Sequence, residues 1–106
     1  CFAHVLDVID AVIAIAFAGN TIGKVINVGN DFEISINGLA RKITDETGSK
    51  SEMIYVPYDE AYGDGFEDME RRVPNIDLIN QLVGWKPKRD LSTMIADISS
   101  EMQKTL

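Results

Sequence analysis

The sequence is poor in several residues, and each shortage narrows what the chain can be. It has a single cysteine, Cys1, so no disulfide forms within the chain and a reducing, cytoplasmic location is expected. It has a single histidine, His4, and His4 with Cys1 are too few ligands for a structural zinc site. Positive charge is scarce: 10 lysines and arginines stand against 17 acidic residues, for a net charge of −7. The basic residues are scattered, with short clusters at Arg71–Arg72 and at Lys86, Lys88 and Arg89. Such an acidic surface repels a phosphate backbone, so nucleic acid is not an expected partner. No apolar run is long enough to span a bilayer. The longest, Val5–Ala18, is interrupted by Asp7 and Asp10 and follows no basic leader, which argues against a membrane segment and a signal peptide. The acidic residues form no Asp-x-Asp-x-Asp-Gly loop, so EF-hand calcium binding is not indicated.

What is present suits one small globular domain over residues 1–106. The apolar share of 45% and the charged share of 25% are ordinary for folded proteins, and a chain this short is of marginal stability alone. Its opening on Cys1 rather than methionine gives the expectation of a longer reading frame or of processing. The Val5–Ala18 run predicts a helix apolar on nearly every face, which must be covered on several sides. Gly19–Asn20 is its stop. Asp7 is read as a helix cap, or a neighbour fills that role, with Asp10 in the first turn.

Lys24–Val28 predicts a short strand, turned by Gly29–Asn30. Ser35 opens a second helix in which Ile36, Leu39, Ala40 and Ile43 share a face, and Gly48 ends it. Met53–Val56 is a second short strand before Pro57. From Pro57 to Val73 there is no periodicity. That stretch is acidic and holds Tyr58, Tyr62 and Phe66, and a loop so long in a small domain is functional or disordered. Pro74–Asn75 begins a third helix with Ile76, Ile79, Leu82 and Val83 inward and Gly84 as its stop, and Trp85 is placed in the packing between the last two helices. The last helix starts near Leu91 or Ser92, with a stripe of Leu91, Ile95, Ile98, Met102 and Leu106. The expected class is α/β, a small mixed domain of about four helices and two short strands. Two such strands do not make an independent sheet, and they fit a chain that adds them to strands elsewhere.

Three motifs carry a resemblance. Cys1-Phe2-Ala3-His4-Val5-Leu6-Asp7-Val8 resembles the Arg-x-Phe-x-His/Tyr-Val-x-Asp-Val segment of the NAD-dependent epimerase/dehydratase family, the extended short-chain dehydrogenases acting on nucleotide sugars. Val25-Ile26-Asn27-Val28-Gly29-Asn30, followed by Ser35-Ile36 and Leu39-Ala40, is similar to the family's strand and helix after the first motif. Arg72-Val73-Pro74-Asn75-Ile76 and Leu82-Val83-Gly84-Trp85-Lys86-Pro87 resemble its Arg-x-Pro-Asp-Ile and Leu-Leu-Gly-Trp-x-Pro segments. Together they cover nearly the whole chain in the family's order.

The resemblance implies that residues 1–106 are the C-terminal substrate-binding part of such an enzyme, with the N-terminal Rossmann domain of the same protein as partner. It implies a nucleoside-diphosphate sugar as ligand, NAD or NADP in the parent, and a parent reaction of epimerisation, dehydration or decarboxylation. It allows a homodimeric parent. The chain has no glycine-rich dinucleotide loop. Tyr55, Tyr58 and Tyr62 are followed four residues later by Asp59, Tyr62 and Phe66, so the family's Tyr-x-x-x-Lys pair is missing too. The chain is therefore expected to bind no cofactor and to be non-catalytic alone.

Arg72 matches the family arginine that contacts the diphosphate, a task for which a guanidinium fork is suited. Its alternative is a surface arginine paired with Glu70 or Asp68. His4 is open between packing and lining the substrate site, and Tyr62 is a candidate contact to the sugar from the acidic loop. Asn75 stands where the family has aspartate, and either can cap a helix. From another class, a stand-alone interaction module would dock its apolar faces on a partner chain. A family member that binds without turnover is a further alternative.

Overall fold

The computed structural model describes residues 1–57 and 72–105. Most of the acidic loop, with Tyr62 and Arg71, lies outside the described residues, as does Leu106. Among the described residues four α-helices are formed: α1 Val5–Phe17, α2 Ile36–Thr47, α3 Asp77–Val83 and α4 Leu91–Thr105, with a 3-10 turn at Gly19–Thr21. No strand is formed among the described residues.

The helix ends follow from side chains at their boundaries. Ser35 Oγ accepts from the Gly38 N–H at 2.9 Å and starts α2. Gly48 ends it in the left-handed conformation, at φ 66°, where a Cβ would be strained. The first turn of α3 begins slightly later than expected. There Ile76 is the N-cap, without a side-chain cap bond; Asn75, expected to cap, instead accepts the Asp77 N–H at 3.0 Å in a turn one residue before it. Asp90 Oδ1 accepts from both the N–H and the hydroxyl of Thr93 at 2.8 Å each, opening α4. At the far end of α1, the Thr21 hydroxyl is within 2.8 Å of the carbonyl oxygens of both Ile15 and Ala18. It thereby engages carbonyls at the helix end, of which that of Ile15 also accepts the Ala18 N–H.

The core is divided in two. Ala11 on α1, Ile79 on α3 and Trp85 are buried together, with Ile15, Ile26, Val28, Ile76 and Val83 packed around them. The second cluster is Leu91, Met94 and Ile95 of α4 against Ile34 and Leu39, where α2 lies on α4. Trp85 thus packs with α1 and α3, not between the last two helices as its position in sequence suggested.

Both expected strands are corrected. Lys24–Val28 keeps the alternation of a strand, since Ile26 and Val28 turn to the Trp85 cluster while Val25 is 92% exposed. Met53–Val56 forms no strand either, with Ile54 80% exposed. Among the described residues neither has a neighbouring strand to take its backbone donors and acceptors, and a ladder needs that neighbour whatever the side-chain pattern.

The helix faces also remain partly bare. On α1 only Asp7 and Ala11 are buried, while Val5, Ile9, Val12, Ile13 and Phe17 are exposed. The stripe on α4 is covered at Leu91 and Ile95 but open at Ile98 and Met102, and Met94 takes an inward place the stripe did not include. On α2, Ile36 and Ile43 are exposed and Leu39 carries the packing. The chain exposes 8275 Å², against about 5,900 Å² for a compact monomer of its mass.

Replacing Ser35 by Ala removes the α2 cap and is expected to lower stability by about 1 kcal/mol, read as a shifted urea midpoint at constant slope. An unmoved midpoint would show that the cap contributes nothing.

Candidate functional site

The polar centre of the chain is Asp7, 1% exposed in the first turn of α1. It is not the helix cap. His4 takes that place, its Nδ1 accepting from the Leu6 N–H at 3.0 Å. Asp7 faces away from its own helix end toward the turn between α3 and α4. Its Oδ2 accepts from the backbone N–H groups of Lys88 at 3.2 Å and Arg89 at 3.0 Å, and its Oδ1 from the Arg89 guanidinium at 2.6 Å. The Asp7 carbonyl accepts the Trp85 indole N–H at 3.0 Å. The same guanidinium nitrogen stands 3.6 Å from Asp10.

Burial alone would raise the Asp7 pKa. The Arg89 N–H, the Arg89 guanidinium and the Lys88 N–H outweigh it and hold the carboxyl below its ordinary value. A buried charge so surrounded by donors is stabilised in its ionised form.

His4 is also buried, and both ring nitrogens are occupied. Besides the Nδ1 cap, its Nε2 is 2.8 Å from Asp97 Oδ2 on α4. Because Nδ1 accepts, Nε2 carries the proton and donates to the carboxylate. A ligand could reach this ring only by displacing one of these partners, which favours packing between the two roles left open for His4.

These contacts join the three sequence motifs in space. Asp7 of the first holds Trp85 and the residues just after Pro87. Gly29 of the second lies against Pro74 of the third, where a Cβ on Gly29 would stand 3.1 Å from Pro74 Cγ. Arg72 is exposed, two residues before that proline. Asn20 Nδ2 donates to the Leu82 carbonyl at 2.9 Å and ties the end of α1 to α3. Arg72 and His4 are not in a common described contact.

A shallow cavity of about 490 Å³ opens elsewhere, between the start of α4 and the Asn30–Ile34 segment. Phe2, Phe32, Lys42 and Lys88 line it, and Arg72 and His4 do not. No group of His, Cys, Asp or Glu among the described residues could hold a metal ion, and no described helix is long and apolar enough to cross a membrane.

The sequence reading passed over Arg89 and Asp97. A signal for Arg89 was available: Asp7 is four residues before Ala11 on a helix apolar all round, and a carboxylate on a buried face requires donors.

No family model matches the chain. Individual proteins do. It is 33% identical to the UDP-N-acetyl-alpha-D-glucosaminuronate decarboxylase of Bacillus cytotoxicus over 87 residues, 82% of this chain and 27% of that protein. It is 34% identical to UDP-D-apiose/UDP-D-xylose synthase 2 of Arabidopsis thaliana over 99 residues, 85% of this chain and 25% of that one. It is 30% identical to the UDP-D-apiose/UDP-D-xylose synthase of Oryza sativa subsp. japonica over 113 residues, 98% of this chain and 28% of that one. The chain is homologous to a segment of the extended short-chain dehydrogenases that act on nucleotide sugars, and it spans roughly a quarter of the length of these relatives.

Asp7→Ala leaves two backbone N–H groups and a guanidinium without their acceptor. Since Arg89 is partly exposed and regains water, the expected loss is about 2–4 kcal/mol, measured by chemical denaturation. The depressed Asp7 pKa also sets a sign. Near and below 3.8 the unfolded chain binds a proton that the folded chain does not, so this contribution is present above that pH and is lost as pH falls through the lower folded value. Asp7→Asn should flatten the acid limb of stability against pH. An unchanged limb would mean that Asp7 ionisation is not coupled to folding.

Proposed function

We propose that residues 1–106 form the substrate-binding, C-terminal part of a nucleotide-sugar-modifying enzyme, with Arg72 gripping the diphosphate of a nucleoside-diphosphate sugar. The observation that carries this reading is the meeting of the three motifs around Asp7 and around the Gly29–Pro74 contact. The motifs matter to the fold here for reasons independent of any relative, and Arg72 is left exposed beside them. The relatives' own names, a UDP-sugar decarboxylase and UDP-apiose/xylose synthases, suggest the substrate class.

Arg72 would hold phosphate oxygens through two parallel N–H donors, fixing the orientation of the substrate as well as supplying charge. Tyr62 and the acidic loop before Arg72 would enclose the sugar. His4 would act at one remove, capping α1 and joining it to α4. We expect a dinucleotide to be held elsewhere in the protein, since no glycine-rich dinucleotide loop stands in this sequence. Gly48 and Gly84 have left-handed backbones that close helices, Gly23 has one just after the 3-10 turn, and none of the three opens a helix. Hydride chemistry, and the NAD or NADP that supplies it, would belong to a Rossmann domain of the same protein, whose apolar surface would cover α1. An interaction module docking on another chain would use that same bare α1 surface. It leaves the order of all three motifs without an explanation.

The test is binding of UDP-D-xylose to the full-length protein. Arg72→Ala should weaken it by more than about tenfold, the loss expected when a charge-assisted bidentate contact is removed, and Arg72→Lys should recover only part. Unchanged affinity in Arg72→Ala would remove this residue from the site.

A further inference from the structure

We infer that Gly29 is a positioning residue for Arg72: the missing side chain at position 29 lets Pro74 seat against the backbone, and that seat fixes where the Arg72 guanidinium begins its reach. The inference rests on the reading of Arg72 as the diphosphate ligand.

The backbone of Gly29 does not itself require glycine. Among the described residues, positive φ belongs to Gly23, Gly48 and Gly84. Space is what requires it. A Cβ on Gly29 would stand 3.1 Å from Pro74 Cγ and 3.6 Å from Pro74 Cβ. The first distance is inside the ordinary carbon–carbon separation of about 3.5–4.0 Å, and the second is within it. One ring atom therefore makes the conflict.

Pro74 has little freedom to yield toward the C-terminus. Just beyond it Asn75 holds the Asp77 N–H, and α3 is anchored by fully buried Ile79 and by the Asn20–Leu82 hydrogen bond. Nor is there slack on the glycine's side, because Val28 packs on the Trp85 cluster. The proline ring fixes its own φ and holds Val73 extended. With both of those directions closed, a push on the ring is passed backward through Val73 to Arg72. Small displacements of a positioning group are costly to binding geometry.

The experiment is calorimetric titration of the full-length protein with UDP and with UMP, which lacks the second phosphate. Wild type, Gly29→Ala, Pro74→Ala and the Gly29→Ala/Pro74→Ala double variant are compared, with Arg72→Ala as reference. Gly29→Ala should lower the preference for UDP over UMP about tenfold, toward that of Arg72→Ala. Adding Pro74→Ala should restore the preference to within about threefold of the Pro74→Ala variant, because the ring atom that the new methyl meets is gone. An unchanged preference in Gly29→Ala, an equal loss of both nucleotides, or no recovery in the double variant overturns the inference. If Gly29→Ala does not fold, the double variant is compared with Pro74→Ala alone: equal preferences support the inference, and a lower one in the double variant overturns it. An unchanged preference in Arg72→Ala sinks the assignment of Arg72 and this inference with it. A normal loss there, with Gly29→Ala unaffected, sinks only the role of Gly29.

Discussion

The Asp7 carboxylate connects parts of the chain that hydrophobic packing leaves nearly separate. Among the described residues each apolar cluster has only three buried members, too little to fix the orientation of one relative to the other. Asp7 leaves the helix of the first cluster and takes two backbone N–H groups and a guanidinium from the turn that leads into the helix of the second. His4, one turn earlier, reaches Asp97 on that same helix. Inside a poorly solvated space these bonds are directional where apolar contacts are not, and an unmet donor there is costly. Register between the halves is therefore set by polar geometry.

This arrangement leaves large apolar surfaces open. Phe17 is 88% exposed at the end of α1, and Ile98 is 60% exposed on α4. Lys24–Val28 and Met53–Val56 carry strand-like residues but have no strand partner among the described residues. A surface of this kind is unusual for a chain that folds by itself. It is ordinary for a segment that spans roughly a quarter of its relatives' length. Binding and folding are linked in this picture, since whatever covers α1 also steadies the base from which Arg72 projects.

Much of the helical structure was legible in the sequence because its signals are local. Ser35 and Gly48 bracket α2, Gly84 stops α3, and the apolar spacing of α4 begins at Leu91. The strands were misjudged for a physical reason: β-branched alternation in Lys24–Val28 describes a pleated face, but not whether another strand is present to pair with it. Asp7 was read as a cap because its actual partners lie 81 and 82 residues away, and no periodicity reports such a distance. His4 is an uncommon cap, and its ring does a job that serine or aspartate does elsewhere. The resemblance marked Arg72 as a candidate, and the physics of a guanidinium fork said what it could bind. The reason for a glycine at position 29 became visible only with Pro74 in place.

The central claim is that the exposed guanidinium beside the joined motifs meets the pyrophosphate of a sugar nucleotide. A crystal structure of the full-length protein with a UDP-sugar bound tests this most directly. The account expects Arg72 nitrogens within hydrogen-bonding distance of diphosphate oxygens, with Asp7 still closed on Arg89. A diphosphate held elsewhere, with Arg72 turned to solvent, would contradict it.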